Sequence, residues 1–283
     1  MKIERNIKLF NDNKSISVVY TKENFETIDT DIAVYDKFKI SVLLSDGLNA
    51  VVANKVIRSG KNSVLFFRPD ELHFGRISRT GVHSYLDFLI PLSFFDKFYK
   101  GSEIIKFITD TAENRVNYIV FDMPQQKNIF AAARDIIETL ESNDKNIDMK
   151  IFSLMLRIIL LCSDFYEKQK SNPINFQMPD IVTRTMAYIS ERYMDKLSLE
   201  NLASMANCSV AYLSRIFKQY VGLTIYNYII AIRISNAQIM LKNNASVTET
   251  CFASGFDDCS NFIRTFKKIT GNTPLQFQKK FLV

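Results

Sequence analysis

The stretch Ser214–Tyr228, SRIFKQYVGLTIYNY, returns 49 residues later as Ile263–Phe277, IRTFKKITGNTPLQF. Arg215 matches Arg264, Phe217 matches Phe266, Lys218 matches Lys267, Gly222 matches Gly271, Thr224 matches Thr273 and Tyr228 matches Phe277. Two copies of one supersecondary unit follow, too few for a solenoid. In the first copy LSLENLASMA reads as a short helix and NCS as a polar turn. Ser209 then caps a second helix that reaches about Tyr220 and is stopped by Gly222. In the second copy VTETCFAS is the first helix, GFD the turn and Asp258 the cap. Each copy is helix, tight turn, helix.

The helical period sorts the second helix of each unit into two faces. Leu213, Ile216, Phe217 and Tyr220 point inward, Ala211, Arg215 and Lys218 outward, and Ser214 lies at the edge. In the repeat Phe262, Thr265, Phe266 and Ile269 point inward, and Ser260, Arg264 and Lys267 outward. A lone arginine on such a helix is ordinarily just solvated, but recurrence at matched positions favours a shared partner. Arginine pairs bidentately with guanine in the major groove and lysine neutralises phosphate, so that partner is expected to be double-stranded DNA. Between the units, Thr224 to Asn243 reads as one long helix with Ile225, Tyr228, Ile232 and Met240 among its apolar positions. Its length of roughly 30 Å is close to the roughly 34 Å of one DNA turn, and some bending of the duplex is expected.

The bulk numbers agree. A chain of 283 residues with 47% hydrophobic content can bury two cores. Of its net charge of +6, the region from Pro173 onward supplies most, with 12 Lys and Arg against 7 Asp and Glu. Cys162, Cys208, Cys251 and Cys259 show no metal-ligand or disulfide spacing, so reduced thiols are expected. The first residues lack the apolar run of a signal peptide, and the longest apolar stretch, Ile151 to Cys162, is short and carries Arg157. A cytoplasmic protein without membrane contact is expected.

Upstream, five of the eight glycines fall in the first 101 residues, between short runs rich in Val, Ile, Phe and Tyr. Strands are expected at Ile16 to Tyr20, Phe38 to Leu44, Ala50 to Ile57, Ser63 to Phe67 and Ser84 to Ile90, with turns at Gly60 and Gly81. Such strands make a small barrel or sandwich. After Pro124, QQKNIFAAARDIIETLES and DMKIFSLMLRIILLCSDFYEKQK read as two helices joined by NDKN. The second is apolar on more than one side. It either meets a second subunit through part of Phe152 to Phe165 or is buried within its own chain. QKSNPINFQMPD reads as a linker, and Asp180 as the cap of the next helix.

LSLENLASMANCSVAYLSRIFKQYVGLT, RISNAQIML and SVTETCFASGFDDCSNFIRTFKKITGNTP resemble the AraC/XylS family of bacterial regulators over roughly Asp180 to Lys280. The resemblance implies DNA contacts at Ala211, Ser214, Arg215 and Lys218 of the first unit and at Ser260, Asn261, Arg264 and Lys267 of the second. The helix starts near Thr224 and Thr273 would meet phosphates. Thr250, Cys251 and the Asp257–Asp258 pair depart from the family pattern, so the first unit is expected to dominate specificity.

VLFFRPDELHFGRISRTG and HSYLDFLIP, within Val64 to Pro91, resemble the core of a cupin-like barrel. The implied fold class is α+β: a barrel at 1–122, a helical dimerisation segment at 123–172 and the all-α DNA-binding domain at 173–283. Arg68, His73, Phe74, His83 and Tyr85 are candidate residues for a small-molecule effector, a sugar being one candidate. The alternative is that Phe74 and Tyr85 pack the core and His73 caps a turn. His73 and His83 are too few for a metal-dependent cupin enzyme, and no catalytic constellation, phosphate loop or cofactor fingerprint is present. No enzyme activity, metal or cofactor is therefore expected. A promoter, an effector, a homodimer mate and RNA polymerase are the expected partners. The competing readings are a regulator controlled by a protein partner, and a sugar-binding cupin whose helical tail does not touch DNA.

Overall fold

A computed structural model describes residues 1–8, 15–25, 30–33, 37–52, 55–69, 71, 73–77, 80–98, 107, 110, 115–173 and 178–280. Part of the expected linker, 174–177, lies outside the described residues. Among the described residues the strands are β1 (Lys2–Ile7), β2 (Ile16–Phe25), β3 (Thr30–Ala33), β4 (Phe38–Leu43), β5 (Leu48–Val52), β6 (Lys55–Arg58), β7 (Ser63–Phe67), β8 (His73–Ile77), β9 (Gly81–Ile90) and β10 (Tyr118–Val120). The helices interleaved with and following them are α1 (Leu92–Phe98), α2 (Met123–Glu141), α3 (Ile147–Ser171), α4 (Asp180–Arg192), α5 (Leu199–Met205), α6 (Val210–Val221), α7 (Ile225–Lys242), α8 (Val247–Ala253), α9 (Cys259–Thr270) and α10 (Pro274–Lys279).

The expected barrel is instead two open antiparallel sheets, in the orders β1-β2-β9-β4-β7-β10 and β3-β8-β5-β6. Among the described residues the chain changes sheet between β4 and β5, and no strand pairing joins the two sheets into one ring. The run Ala50 to Ile57, expected as one strand, is two: Val52 pairs with Lys55 and Ala50 with Ile57 across an antiparallel hairpin. Strands β1, β3, β8 and β10 and helix α1 carry too little apolar patterning to stand out from the sequence.

Alternation divides the larger sheet into two faces. Ile40 stands opposite Phe66 and Phe88, and Val42 opposite Val64 and Leu86, all fully buried. This face meets the helices: the Phe66 ring lies 6.3 Å from Tyr166 of α3, and Phe38 lies 6.2 Å from Phe95 of α1. The other face carries Lys39, Ser41, Phe67 and Asp87 toward the smaller sheet, where Phe67 stacks on His73 of β8 at 4.2 Å.

Segment 123–172 is not a separate body. Ile129, Ala132, Ala133 and Ile136 of α2 and Ile151, Met155, Ile159 and Cys162 of α3 are buried in one core with the sheets. Asp122 opens α2 with a reciprocal capping box to Gln125, and Pro124 sits in its first turn. Helix α3 is therefore covered largely by its own chain, with Met149 and Leu160 left exposed.

From α4 onward the fold is all helical. Asp180 is the first residue of α4 rather than its cap. Pro179 takes the cap position, and the Asp180 carboxylate instead pairs with Arg184 one turn on, at 2.8 Å. Two small cores flank the long helix α7. Val182, Met186, Leu202, Leu213, Phe217, Ile225 and Tyr228 form one. Ile234, Ala237, Leu241, Cys251, Phe256, Phe262 and Phe266 form the other. Successive turns of α7 thus serve two neighbours, which is why its apolar residues run round the helix rather than along one stripe.

Candidate nucleic-acid interface

Each unit is delimited by the same local chemistry. Ser198 and Ser246 cap the first helices, α5 and α8. Asn207 and Gly255 provide the left-handed turn at φ 52° and 86°. Ser209 and Asp258 cap α6 and α9 by accepting from backbone N–H groups one turn in. Gly222 and Gly271 end those helices in the left-handed conformation at φ 91° and 75°, and Thr224 and Thr273 cap the next. Asparagine tolerates the left-handed region without glycine's freedom, so two different residues supply one turn.

These caps fix which side chains each second helix shows. On α6, Leu213, Phe217 and Val221 are buried and Ile216 and Tyr220 pack partly behind them, while Ala211, Arg215 and Lys218 are exposed and Ser214 is half-buried. On α9, Phe262 and Phe266 are buried, with their rings 5.7 Å apart, while Ser260, Arg264 and Lys267 are exposed and Asn261 is half-buried. Ser260, Ile263, Arg264, Lys267 and Lys268 line a shallow open depression. Thr224 is exposed and Thr273 half-buried, their hydroxyls accepting from the backbone N–H groups of Asn227 and Gln276. The nucleic-acid candidates therefore gather on two recognition helices and the two helix starts that follow them.

The sequence did not reveal Tyr212, whose ring lies under the Arg215 guanidinium, 5.6 Å from its centroid. An exposed tyrosine three residues before an arginine on a helix was the available signal. Asn261 occupies the matching place on α9. The two aspartates that depart from the family pattern both have local roles. Asp258 accepts from the Ser260 and Asn261 N–H groups, and the Asp257 charge acts on Arg233.

Arg233 of α7 holds the units in register. Its Nε donates to the Tyr193 carbonyl at 2.8 Å, its Nη2 to the Asp195 carbonyl at 2.9 Å, and its guanidinium lies 5.8 Å from the Phe256 ring centroid. With 18 residues, α7 spacing the units is about 27 Å long.

The candidate effector residues fall into two groups at opposite ends of the space between the sheets. Arg68 and His73 meet at Glu71: the Arg68 guanidinium lies 3.9 Å from its carboxylate, and His73 Nδ1 lies 2.9 Å from its carbonyl. Arg68 also donates to the Phe107 carbonyl at 2.8 Å, and Arg115 and Asn117 bind the same carboxylate at 3.4 and 2.8 Å. His73 is buried, and its imidazole is pushed down to about 3, first by burial and then by Lys39. His83 lies on β9 six residues before Leu89, the residue level with Phe67 across Lys39, which is roughly 20 Å at strand spacing. It contacts the Asp46 carbonyl at 2.9 Å and the Phe25 ring at 5.9 Å. Tyr85 is half-buried opposite Leu43. The backbone of Phe74 pairs with Ile32 and Val51, and its side chain lies outside the described residues.

A third polar group between the sheets went unread in the sequence. Lys39 pairs with Asp87 at 2.8 Å, and the Ser41 hydroxyl donates to the same carboxylate at 2.6 Å. The ammonium also lies 5.6 Å from the Phe67 ring, whose neighbour is His73. Only strand register brings these four residues together, because they come from β4, β7 and β9. Among the described residues no cluster of three or more His, Cys, Asp and Glu could hold a metal, and no helix is long and apolar enough to cross a membrane.

A family model described as a helix-turn-helix domain matches residues 202–280. The chain is 31% identical over 122 residues, 42% of its length and 58% of the relative's, to the bifunctional transcriptional activator/DNA repair enzyme AdaA of Bacillus subtilis. It is 37% identical over 102 residues, 36% of its length and 60% of the relative's, to the uncharacterized HTH-type transcriptional regulator in the cgkA 5'region of Pseudoalteromonas carrageenovora. The chain thus spans about six-tenths of the length of these relatives. One solved structure, the C-terminal domain of AraT, a response regulator from Geobacillus stearothermophilus, is 29% identical, covering 38% of this chain and 90% of that one with a TM-score of 0.37.

Proposed function

We propose that the chain is a member of the AraC/XylS family through its C-terminal helix-turn-helix domain, and a sequence-specific, effector-controlled transcription regulator. One observation carries this reading: two units with matched caps each present a short side chain, an arginine and a lysine on the exposed flank of the second helix. Arg215 and Arg264 read base edges. Lys218 and Lys267 neutralise phosphates, and Ala211, Ser214, Ser260 and Asn261 complete the contact faces. The helix starts after Thr224 and Thr273 face the phosphate backbone. Arg215, held by Tyr212, gives the first unit the larger share of specificity.

In this reading a small polar effector enters between the two sheets. Asp87, Ser41 and Lys39 offer it a carboxylate, a hydroxyl and an ammonium, a set suited to a hydroxylated molecule such as a sugar. His73 flanks this group and Arg68 anchors its Glu71 neighbour, while Tyr85 and His83 border the far end. The effector acts by binding one arrangement of the regulator better than another, which shifts the population able to grip DNA. A homodimer, with Met149 and Leu160 of α3 in its contact, and RNA polymerase are the further partners, and the cytoplasm is the compartment.

The test is selection of duplexes from a random pool by the purified chain at physiological salt, beside Arg215→Ala. Recovery of two short boxes about one helical turn apart, loosened at one base pair in the variant, supports the reading. Recovery of no preferred sequence, with and without a sugar and metabolite panel, overturns it.

A further inference from the structure

The two faces of the smaller sheet serve different parts of the chain. Alternation along the β5–β6 hairpin sends Ala50, Val52 and Ile57 into the core shared with the larger sheet. Val51 and its cross-strand mate Val56 point the opposite way. An antiparallel sheet that meets water on one side carries polar residues there, yet this outer face carries two valines, and Val51 is only 1% exposed. It is buried in the core of the first helix-turn-helix unit, with Val182, Met186, Leu213 and Phe217, and Val56 packs against the same core. At the other edge of the sheet the backbone of β3 runs beside α9, with Cα atoms within 8 Å.

We propose that the smaller sheet is a docking surface for the chain's own DNA-binding domain, and that this closed arrangement keeps the second recognition helix off DNA. The inhibitory half of the proposal rests on the reading of α9 as a DNA-facing helix. The docking half does not.

Dimensions make the obstruction. Helices α8 and α10 lie against α9, and Phe262 and Phe266 seat it on α7 through one core. Its inner half is thereby taken, which leaves β3 the groove-facing half or its rim. A helix with its side chains is about 10–12 Å across, and the major groove is about 12 Å wide. A strand beside α9 therefore stands where the wall of the groove would be. Ser260, Arg264 and Lys267 stay open to water, but a duplex needs far more room than water does. Strand β3 and the duplex compete for one helix.

Strand β8 joins both docking strands to the interior site. Its His73 stands level with Ala33 of β3 and Val52 of β5, and the His73 ring stacks on Phe67 between the sheets. A molecule lodged beside Lys39, Asp87 and His73 thus presses on the inner side of the strands whose outer face and edge hold the DNA-binding domain. That pressure loosens the dock. A closed population of about nine-tenths lowers the apparent affinity for DNA about ten-fold, and opening restores it.

The experiment compares the full chain with Val56→Lys, Val51→Lys and Val56→Ile. Each protein selects duplexes from a random pool, its affinity for the selected duplex is measured, and its radius of gyration is read by X-ray scattering. A lysine is excluded from an apolar core but suits a sheet face in water. Val56 lies on an edge strand, so Val56→Lys keeps the test decisive if circular dichroism shows that Val51→Lys has not folded. The lysine variants are expected to have a larger radius of gyration and to bind at least about ten-fold more tightly, whereas Val56→Ile matches the native chain in both. A larger radius with unchanged or weaker affinity overturns the inhibition. An unchanged radius in a folded lysine variant overturns the dock. If neither the native chain nor any variant selects a duplex, the DNA reading falls, and the scattering still decides the dock.

Discussion

The Arg215 guanidinium lies over the Tyr212 ring, 5.6 Å from its centroid, on the exposed side of α6. An arginine that reaches for a base pair must give up rotamer freedom, and a ring beneath it removes part of that freedom beforehand. Arg215→Ala should cost about 1–3 kcal/mol on the selected duplex and relax preference at one base pair. Tyr212→Ala should cost about 0.5–1 kcal/mol without altering which base is preferred. Anisotropy titrations against the selected duplex and its single-base variants check both. Unchanged affinity in Arg215→Ala would show that this face does not read DNA.

Lys218 is exposed on the same helix, one turn nearer its C-terminal end. Lys218→Ala should weaken binding on selected and scrambled duplexes alike, and should flatten the slope of log affinity against log salt by about 1. A loss confined to the selected sequence would make it a base contact instead.

Gly255 has φ +86°, and a Cβ there would stand 2.8 Å from the Tyr193 carbonyl oxygen and 2.9 Å from both Arg233 Nε and Met194 Cα. Two of those three neighbours are backbone and the third is held by its bond to the Tyr193 carbonyl, so none gives way easily. Gly255→Ala should destabilise the DNA-binding domain by about 2–4 kcal/mol, read as a lowered midpoint in urea. Asn207→Gly, at the matching turn of the first unit, should be close to neutral.

Lys39 and Asp87 face each other at 2.8 Å with side-chain exposures of 15% and 10%. Lys39→Met leaves the carboxylate with Ser41 but without its cation, and should cost about 3 kcal/mol in the unfolding free energy. Pairing it with Asp87→Leu should recover much of that loss while abolishing any thermal shift produced by an effector.

The buried His73 imidazole titrates at about 3 instead of 6.5. Between those values the unfolded chain carries a proton that the folded chain refuses, so stability is complete above about 6.5 and declines as the pH falls toward 3. The decline amounts to about 1.4 kcal/mol per pH unit for one proton. Urea midpoints from pH 7 to pH 5 should fall more steeply for the native chain than for His73→Gln.

The repeat, its caps and its exposed arginines and lysines were legible in the sequence because each depends on residues within one or two helical turns. Ser209, Asp258, Gly222 and Gly271 act on backbone groups a few positions away, and the helical period alone separates Phe217 from Arg215. The two helices after Pro124 were legible for the same reason.

What only the tertiary structure decided came from long-range strand pairing. The reversal at Val52 and Lys55, the opening of the expected barrel into two sheets and the placing of β1 and β8 depend on partners far along the chain. The same pairing brings Lys39, Ser41 and Asp87 together and sends His73 and His83 to opposite ends of one interior. A one-residue change of register would turn each of those side chains to the other face, and no local pattern in the sequence records the register.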